Sequence, residues 1–288
     1  MLDRYEAEKA ERLAFLQRRL DHETDGPSRA AFAGALFGRV AAEDIVAYDV
    51  DDLAAFVEQA WAGLAERTPG RHRVRLIDRR LTQPRGPDRV VTVIEIYNDD
   101  MPFLLDSAMG ELQERGIEIR LVAHPILAVA RDAAGVLVAC EGLAEATTRP
   151  GLARESLITI HVPQIVGDEA RASLAEGLDA TMADVRAAVD DWRPMRTRFA
   201  EAADDWTRGA PAVDPETLAE ARAFAAWLAD DNFTFLGLRE YDYRGVQGDA
   251  ALERRVDSDL GILRDPAVRV LKRGDDLVAL LDPISSSI

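Results

Sequence analysis

Lysine is almost missing from this chain. Of its 35 basic residues only Lys9 and Lys272 are lysines, and the rest are arginines. Several large enzyme classes depend on a lysine, so their chemistry would have to rest on one of those two positions. Cysteine is scarcer still. Cys140 stands alone, which rules out an intrachain disulfide and any CxxC redox or metal motif. The four histidines, His22, His72, His124 and His161, form no HxH or HxxxH pair, and no Asp/Glu group has local metal-ligand spacing. GxGxxG between a strand and a helix is absent, as is the Gly-Lys-Ser/Thr of a P-loop. Gly34 and Gly38 fall in a helical pattern, where they suit close packing. Lys272 follows Val270-Leu271 as a strand running into a turn. No cofactor or metal site is therefore expected in these residues. Long apolar runs are missing too: nothing approaches the roughly 18–20 residues that span a bilayer. The charged stretch from Met1 to Leu20 lacks the apolar core of a signal peptide, so the chain is expected to be cytoplasmic, with no membrane partner.

What is present is acid. The 288 residues carry 52 Asp+Glu against 35 Lys+Arg, a net charge of −17 that would repel nucleic-acid phosphates. With 48% hydrophobic residues the chain is globular in composition and long enough for one large or two smaller domains.

Apolar periodicity divides it. Residues 1–70 read as a helical segment. Leu13, Leu16 and Leu20 lie on one helix stripe, Phe32, Leu36 and Phe37 on a second, and Leu53, Phe56, Val57, Trp61 and Leu64 on a third that starts near Asp51. From residue 71 the period shortens. Val74 to Ile77 is a short strand, Arg89 to Tyr97 a nearly continuous apolar strand, and a helix follows from Pro102 to Gly116. Strong alternation over Ile117 to Val129 predicts another strand, with Val136 to Cys140 and Ser156 to Val162 after it. A long helix begins near Asp168. Strand, helix, strands and helix in that order predict an α+β module over 71–193, a ferredoxin-like antiparallel sheet with helices on one face. Its fourth strand, normally placed after the second helix, is missing, and the strand at 74–78 is available to fill that position. Residues 194–230 read as a helical connector, with Asp214-Pro215-Glu216 as a helix start. Residues 231–288 begin a second α+β module, with strands over Phe233 to Tyr243, 268–271 and 277–281.

Candidate chemistry is thin. His124 and His161 lie on strands of one module and admit either a structural or a shared-site reading. Cys140 reads as a buried thiol or, with one of those histidines, as a hydrolase nucleophile. Arginines crowd 71–89 (Arg71, Arg73, Arg75, Arg79, Arg80, Arg85 and Arg89), either as a solvated edge or intersubunit contact or as an anion site. Asn98-Asp99-Asp100-Met101-Pro102 turns from a strand into a helix that carries Asp106 and Ser107. The free N–H groups at that helix start would hold a carboxylate ligand, or Asp99 and Asp100 would cap them. Asn98, Asp99, Asp100, Asp106 and Ser107 are thus the candidate effector or interface residues. No catalytic residue is assigned.

At that loop the sequence resembles a family. Asn98 through Ser107, His124-Pro125-Ile126-Leu127, Arg131-Asp132 before Gly135, Glu155-Ser156-Leu157, and Phe233 through Tyr241 together resemble the N-terminal region of the large bacterial NAD-specific glutamate dehydrogenases. The resemblance implies ACT-like modules upstream of a distant catalytic domain. It also implies NAD as cofactor of the full-length protein, and a chain that oxidises glutamate to 2-oxoglutarate and ammonia without using these residues as the active site. Partners implied are the downstream catalytic domain, further copies in a homo-oligomer, and an amino-acid effector. A stand-alone amino-acid-sensing module is the alternative. One departure is plain: the glycine-containing ligand loop usual in amino-acid-binding ACT modules is here Asn98-Asp99-Asp100-Met101-Pro102.

Overall fold

The strand with the longest apolar run, β2 (Arg89–Asp99, after β1, Arg73–Leu81), is buried from Val91 to Asn98. Its partner β6 (Ala153–Pro163) is buried from Glu155 to Val162. Strands this uniformly apolar need both faces covered, and they are. The structure, a computed structural model, describes residues 2–21, 28–82, 89–147, 149–209, 213–244, 251–255 and 257–268. It forms two compact units, residues 1–183 and 184–288.

In the first unit, β2 and β6 pair antiparallel, with Val93 opposite His161 and Asn98 opposite Ser156. Beyond β6 lie β3 (Leu121–Ala123), β4 (Ile126–Arg131) and β5 (Leu137–Leu143), giving the order β1-β2-β6-β4-β5 with β3 also beside β6. The strand expected over 117–129 is divided at His124-Pro125. Leu121 faces His161 and Ile126 faces Ser156, so the register carries straight through. Pro125 accepts from Leu157 N–H at 3.2 Å but has no N–H to return, which interrupts the ladder. β1 lies on the far side of β2, antiparallel to it. It takes the sheet position that a ferredoxin-like unit fills with a strand after its second helix.

Alternation sorts the side chains. Val91, Val93, Tyr97, Leu121, Ala123, Leu127, Val129 and Leu157 face one way. They share a core with Leu16, Phe32, Leu36, Phe37, Leu53, Phe56, Val57 and Leu64 of the helices α1 (Leu2–Leu20), α2 (Arg29–Phe37) and α4 (Val50–Ala65). The short α3 (Ala42–Val46) lies between α2 and α4. On the other parity Ile94, Ile96, Ile158, Ile160 and Val162 are buried, together with Leu104, Ala108 and Leu112 of α5 (Leu104–Glu114) and Leu174, Leu178 and Met182 of α6 (Asp168–Asp190). The N-terminal helices thus supply the second cover that makes the central strands apolar on both sides. Packing is close where α4 crosses β2: a Cβ on Gly63 would lie 2.0 Å from Tyr97 Oη, so only glycine fits there.

In the second unit, α7 (Trp192–Gly209) makes the stretch after α6 helical, and α8 (Pro215–Trp227) starts as expected. Asp214 Oδ1 accepts from Glu216 N–H at 3.1 Å and Thr217 N–H at 3.0 Å. The strand expected over 233–243 is two short pieces, β7 (Gly237–Leu238) and β8 (Tyr241–Arg244). β7 pairs with β10 (Leu260–Gly261) and β8 with β9 (Ala251–Arg254). Phe235 is drawn instead into a ring cluster, 5.0 Å from Phe199 and 5.3 Å from Phe233. The strand expected at 277–281, Lys272, and 269–271 of the remaining strand lie outside the described residues, as does His22.

Candidate functional site

The motifs picked out along the chain converge on one end of the first unit's sheet. The pairing of β2, β4 and β6 sets Asp99 opposite Glu155 and Leu127 opposite Glu155 on the other side. Arg131, at the end of β4, donates from Nε to Glu155 Oε1 at 2.7 Å and from Nη2 to Oε2 at 2.9 Å, a two-point fork. The same guanidinium donates to Leu64 O at 2.8 Å and Gly135 O at 3.0 Å, tying the C-terminal turn of α4 and the 132–135 turn to the sheet. Arg67 lies 2.7 Å from Glu155 on the other side and also pairs with Asp99. Glu155 and Arg67 are each only 2% exposed, so one carboxylate is clamped between two arginines out of water. Such a cluster keeps its carboxylate out of reach of water and substrate and neutralised by its arginines. Its chemistry is that of a structural lock.

Of the predicted loop residues, Asp99 is held directly by this lock through Arg67. Asn98 is buried, and its Oδ1 accepts from Asp99 N–H at 2.9 Å. Asp99 also accepts from Gly70 N–H at 3.3 Å. Asp100 accepts from Arg154 Nε at 2.8 Å and donates its N–H to Arg154 O at 3.1 Å. Neither aspartate caps the following helix, which differs from the capping reading. α5 begins two residues later than its proline suggests, with Phe103 as N-cap at φ 70° and no side-chain cap. Arg67, just after α4, and Arg154, on β6, take the two carboxylates in place of the local N–H groups, because a charge-assisted bond is the stronger one. Asp106 is exposed and Ser107 half-buried on the first turn of α5.

His124 joins this end of the sheet. Its Nε2 lies 2.9 Å from Ser156 Oγ, and burial holds it below the ordinary histidine value although the Asp100 and Asp106 carboxylates oppose that shift. Ser156 is 1% exposed, so the His–Ser contact is closed to substrate. His161 belongs to the far end. It bonds through Nδ1 to Tyr48 Oη at 3.0 Å, packs on Phe56 at 4.3 Å, and burial pushes it down to about 3. Cys140 is buried on β5 and its thiol is pushed up to about 11 by burial. Among the described residues His124 bonds to Ser156 and His161 to Tyr48, and no hydrogen bond joins either ring to Cys140. A thiol–imidazole pair is not assembled.

Several of the other sequence candidates have structural partners. Lys9 is buried and donates to Gly38 O at 2.8 Å and Val40 O at 2.7 Å, fixing the end of α2. In the arginine-rich stretch, Arg73 pairs with Glu66 at 2.7 Å, and Arg75 approaches Glu95 at 3.4 Å while Arg79 holds Gln59. Glu95 is raised by burial and accepts from Gln59 Nε2 and Tyr97 Oη, both at 2.8 Å. Arg85 lies outside the described residues. Among the described residues no three His, Cys, Asp or Glu side chains gather as a metal site, and no helix is long and apolar enough to cross a membrane. Sequence reasoning missed Arg67 and Arg154 as partners of the loop. The clearest available signal was that Glu155 and Arg131, of opposite charge, both fall in the motifs that carry the family resemblance.

Comparison with known proteins gives this end of the sheet a context. The family model described as the ACT1 domain of glutamate dehydrogenase matches residues 32–178, which includes every residue of the lock. An NAD-specific glutamate dehydrogenase of Halomonas elongata is 34% identical over 250 residues, covering 86% of this chain and 15% of that protein. One of Pseudomonas aeruginosa is 26% identical over 238 residues, covering 83% of this chain and 14% of that protein. The chain therefore spans about a seventh of the length of the curated relatives it matches.

Proposed function

The chain belongs to the glutamate dehydrogenase ACT1 domain family, and from that premise we propose that it is a regulatory and assembly region of a much longer NAD-dependent glutamate dehydrogenase. The whole protein would convert glutamate and NAD to 2-oxoglutarate and ammonia, with the chemistry carried outside these residues. The observation that supports this most is the commitment of the reactive side chains. Glu155 is locked by Arg67 and Arg131, His161 by Tyr48, Lys9 by two carbonyls, and Cys140 is a buried neutral thiol. A module built this way carries shape and contacts rather than a reaction.

The role is assembly and regulation through this first unit, with further copies of the chain and the protein's own catalytic domain as partners and an amino acid as effector. Residues 71–193 form the ACT-like module of that region, 1–70 its helical cover, 194–230 a connector and 231–288 the start of a second module. Deleting residues 1–183 from the longer protein tests the role. The expected result is a changed oligomeric state by light scattering and a changed response to amino acids, with glutamate-dependent NAD reduction retained by what remains. Unchanged assembly together with an unchanged response would refute it.

A further inference from the structure

In the second unit, α8 is a helix of 13 residues, none of them buried. Helices this short are marginal in water and depend on packing of an apolar side. One side of α8 rests against α7: Leu218, Ala221 and Ala225 are half-buried, and Arg222 Nη2 donates to Thr207 O at 3.2 Å. The opposite side has a pattern of its own. Glu216, Glu220, Ala223, Phe224 and Trp227 recur at three- to four-residue spacing, and all five are exposed.

Phe224 is 61% exposed and Trp227 50%, and their rings stack on each other, 6.1 Å between centroids and 14° between planes. Two large rings held together in water form an apolar patch rather than scattered single contacts. Glu220 stands one turn before them and Glu216 two turns, and neither carboxylate has an ionic partner among the described residues. Acid at one end and stacked rings at the other suit a segment that carries a cation beside apolar side chains. A guanidinium or ammonium group is attracted both by the carboxylates and by the ring faces. The stretch this chain matches is only 15% and 14% of its two relatives, so most of such a polypeptide lies outside these residues. A second copy is a poorer fit, since it brings the same acidic stripe and a net charge of −17.

We propose that the outward stripe of α8 seats a segment from another part of the same long polypeptide, one that presents a basic residue beside apolar side chains. The proposal rests on the reading that this chain is a region of a longer dehydrogenase. Its failure is distinguishable from the failure of that reading, because the test reads cover at one helix and neither oligomeric state nor the response to amino acids.

Ala223→Cys places a reporter thiol on the stripe without removing either ring, and the native Cys140 is buried. Maleimide labelling of the peptide that carries residue 223 is followed by mass spectrometry in the 288-residue chain and in the full-length protein. The expected result is labelling slower by about tenfold or more in the full-length protein. In that background Phe224→Ala with Trp227→Ala, and separately Glu216→Lys with Glu220→Lys, should each bring back the fast rate. Both pairs are exposed side chains, and each should leave the circular dichroism of the 288-residue chain unchanged, so folding failure in one leaves the other decisive. Equal labelling rates in the short chain and the full-length protein would overturn the proposal. Labelling of the short chain that slows as its concentration rises would overturn it too, making a second copy the occupant. A full-length rate that stays slow in both double variants would also contradict it.

Discussion

His161 is a residue whose neighbours decide its chemistry. A histidine on an apolar strand admits a structural or a site reading in sequence. Packed between Tyr48 and Phe56 with Arg89 nearby, it is kept neutral, its value pushed down to about 3. An unfolded chain takes up a proton on this ring near pH 6.5, whereas the folded chain does so only near 3. The stability that neutral His161 contributes is therefore whole above about pH 6.5 and is lost as pH falls towards 3. His161→Phe should remove that dependence. Urea unfolding between pH 6 and 4 should show a slope shallower than wild type by up to about 1.4 kcal/mol per pH unit, the effect of one proton. Equal slopes would mean that the ring is not held neutral. Cys140 teaches the same lesson in the other direction, since nothing along the chain distinguishes an inert buried thiol from a nucleophile.

At the level of elements, the legible parts were those with local causes. Asp214 before Pro215 capped a helix as its chemistry requires, and the alternation of Leu121, Ala123, Leu127 and Val129 carried the core face across the Pro125 interruption. The start of α5 was not legible from Pro102, because Asp99 and Asp100 are taken by arginines far away in sequence and Phe103 occupies the left-handed region. β1 lies beside β2 in the place of the strand missing after α6, the position that the strand at 74–78 was available to fill. The lock around Glu155 joins four pieces: the end of α4, the 132–135 turn, β4 and β6. Glu155→Gln leaves Arg67 and Arg131 buried without their shared counter-charge and should cost about 3–5 kcal/mol, read as a lower urea midpoint. A midpoint within experimental error of wild type would show that the arginines find other partners and that the lock does not hold these elements together.

Over the whole molecule, the most telling fact is where the family motifs meet. Asn98-Asp99-Asp100, His124-Pro125, Arg131 and Glu155-Ser156 are spread over some sixty residues, yet they gather at one end of one sheet. The motifs mark such residues along the chain but do not show that Arg67, from outside them, completes their cluster. What they build is a buried structural joint centred on the Glu155 carboxylate and its two arginines. The shortage of lysine fits that picture, since Lys9 serves as a helix clasp and no longer stands as a candidate for amine chemistry. The direct test of a non-catalytic region is an assay of the purified, folded 288-residue chain with glutamate and NAD, following NADH absorbance. The account predicts no glutamate-dependent NADH above the buffer rate at any chain concentration. A rate that rises in proportion to the amount of chain would contradict it.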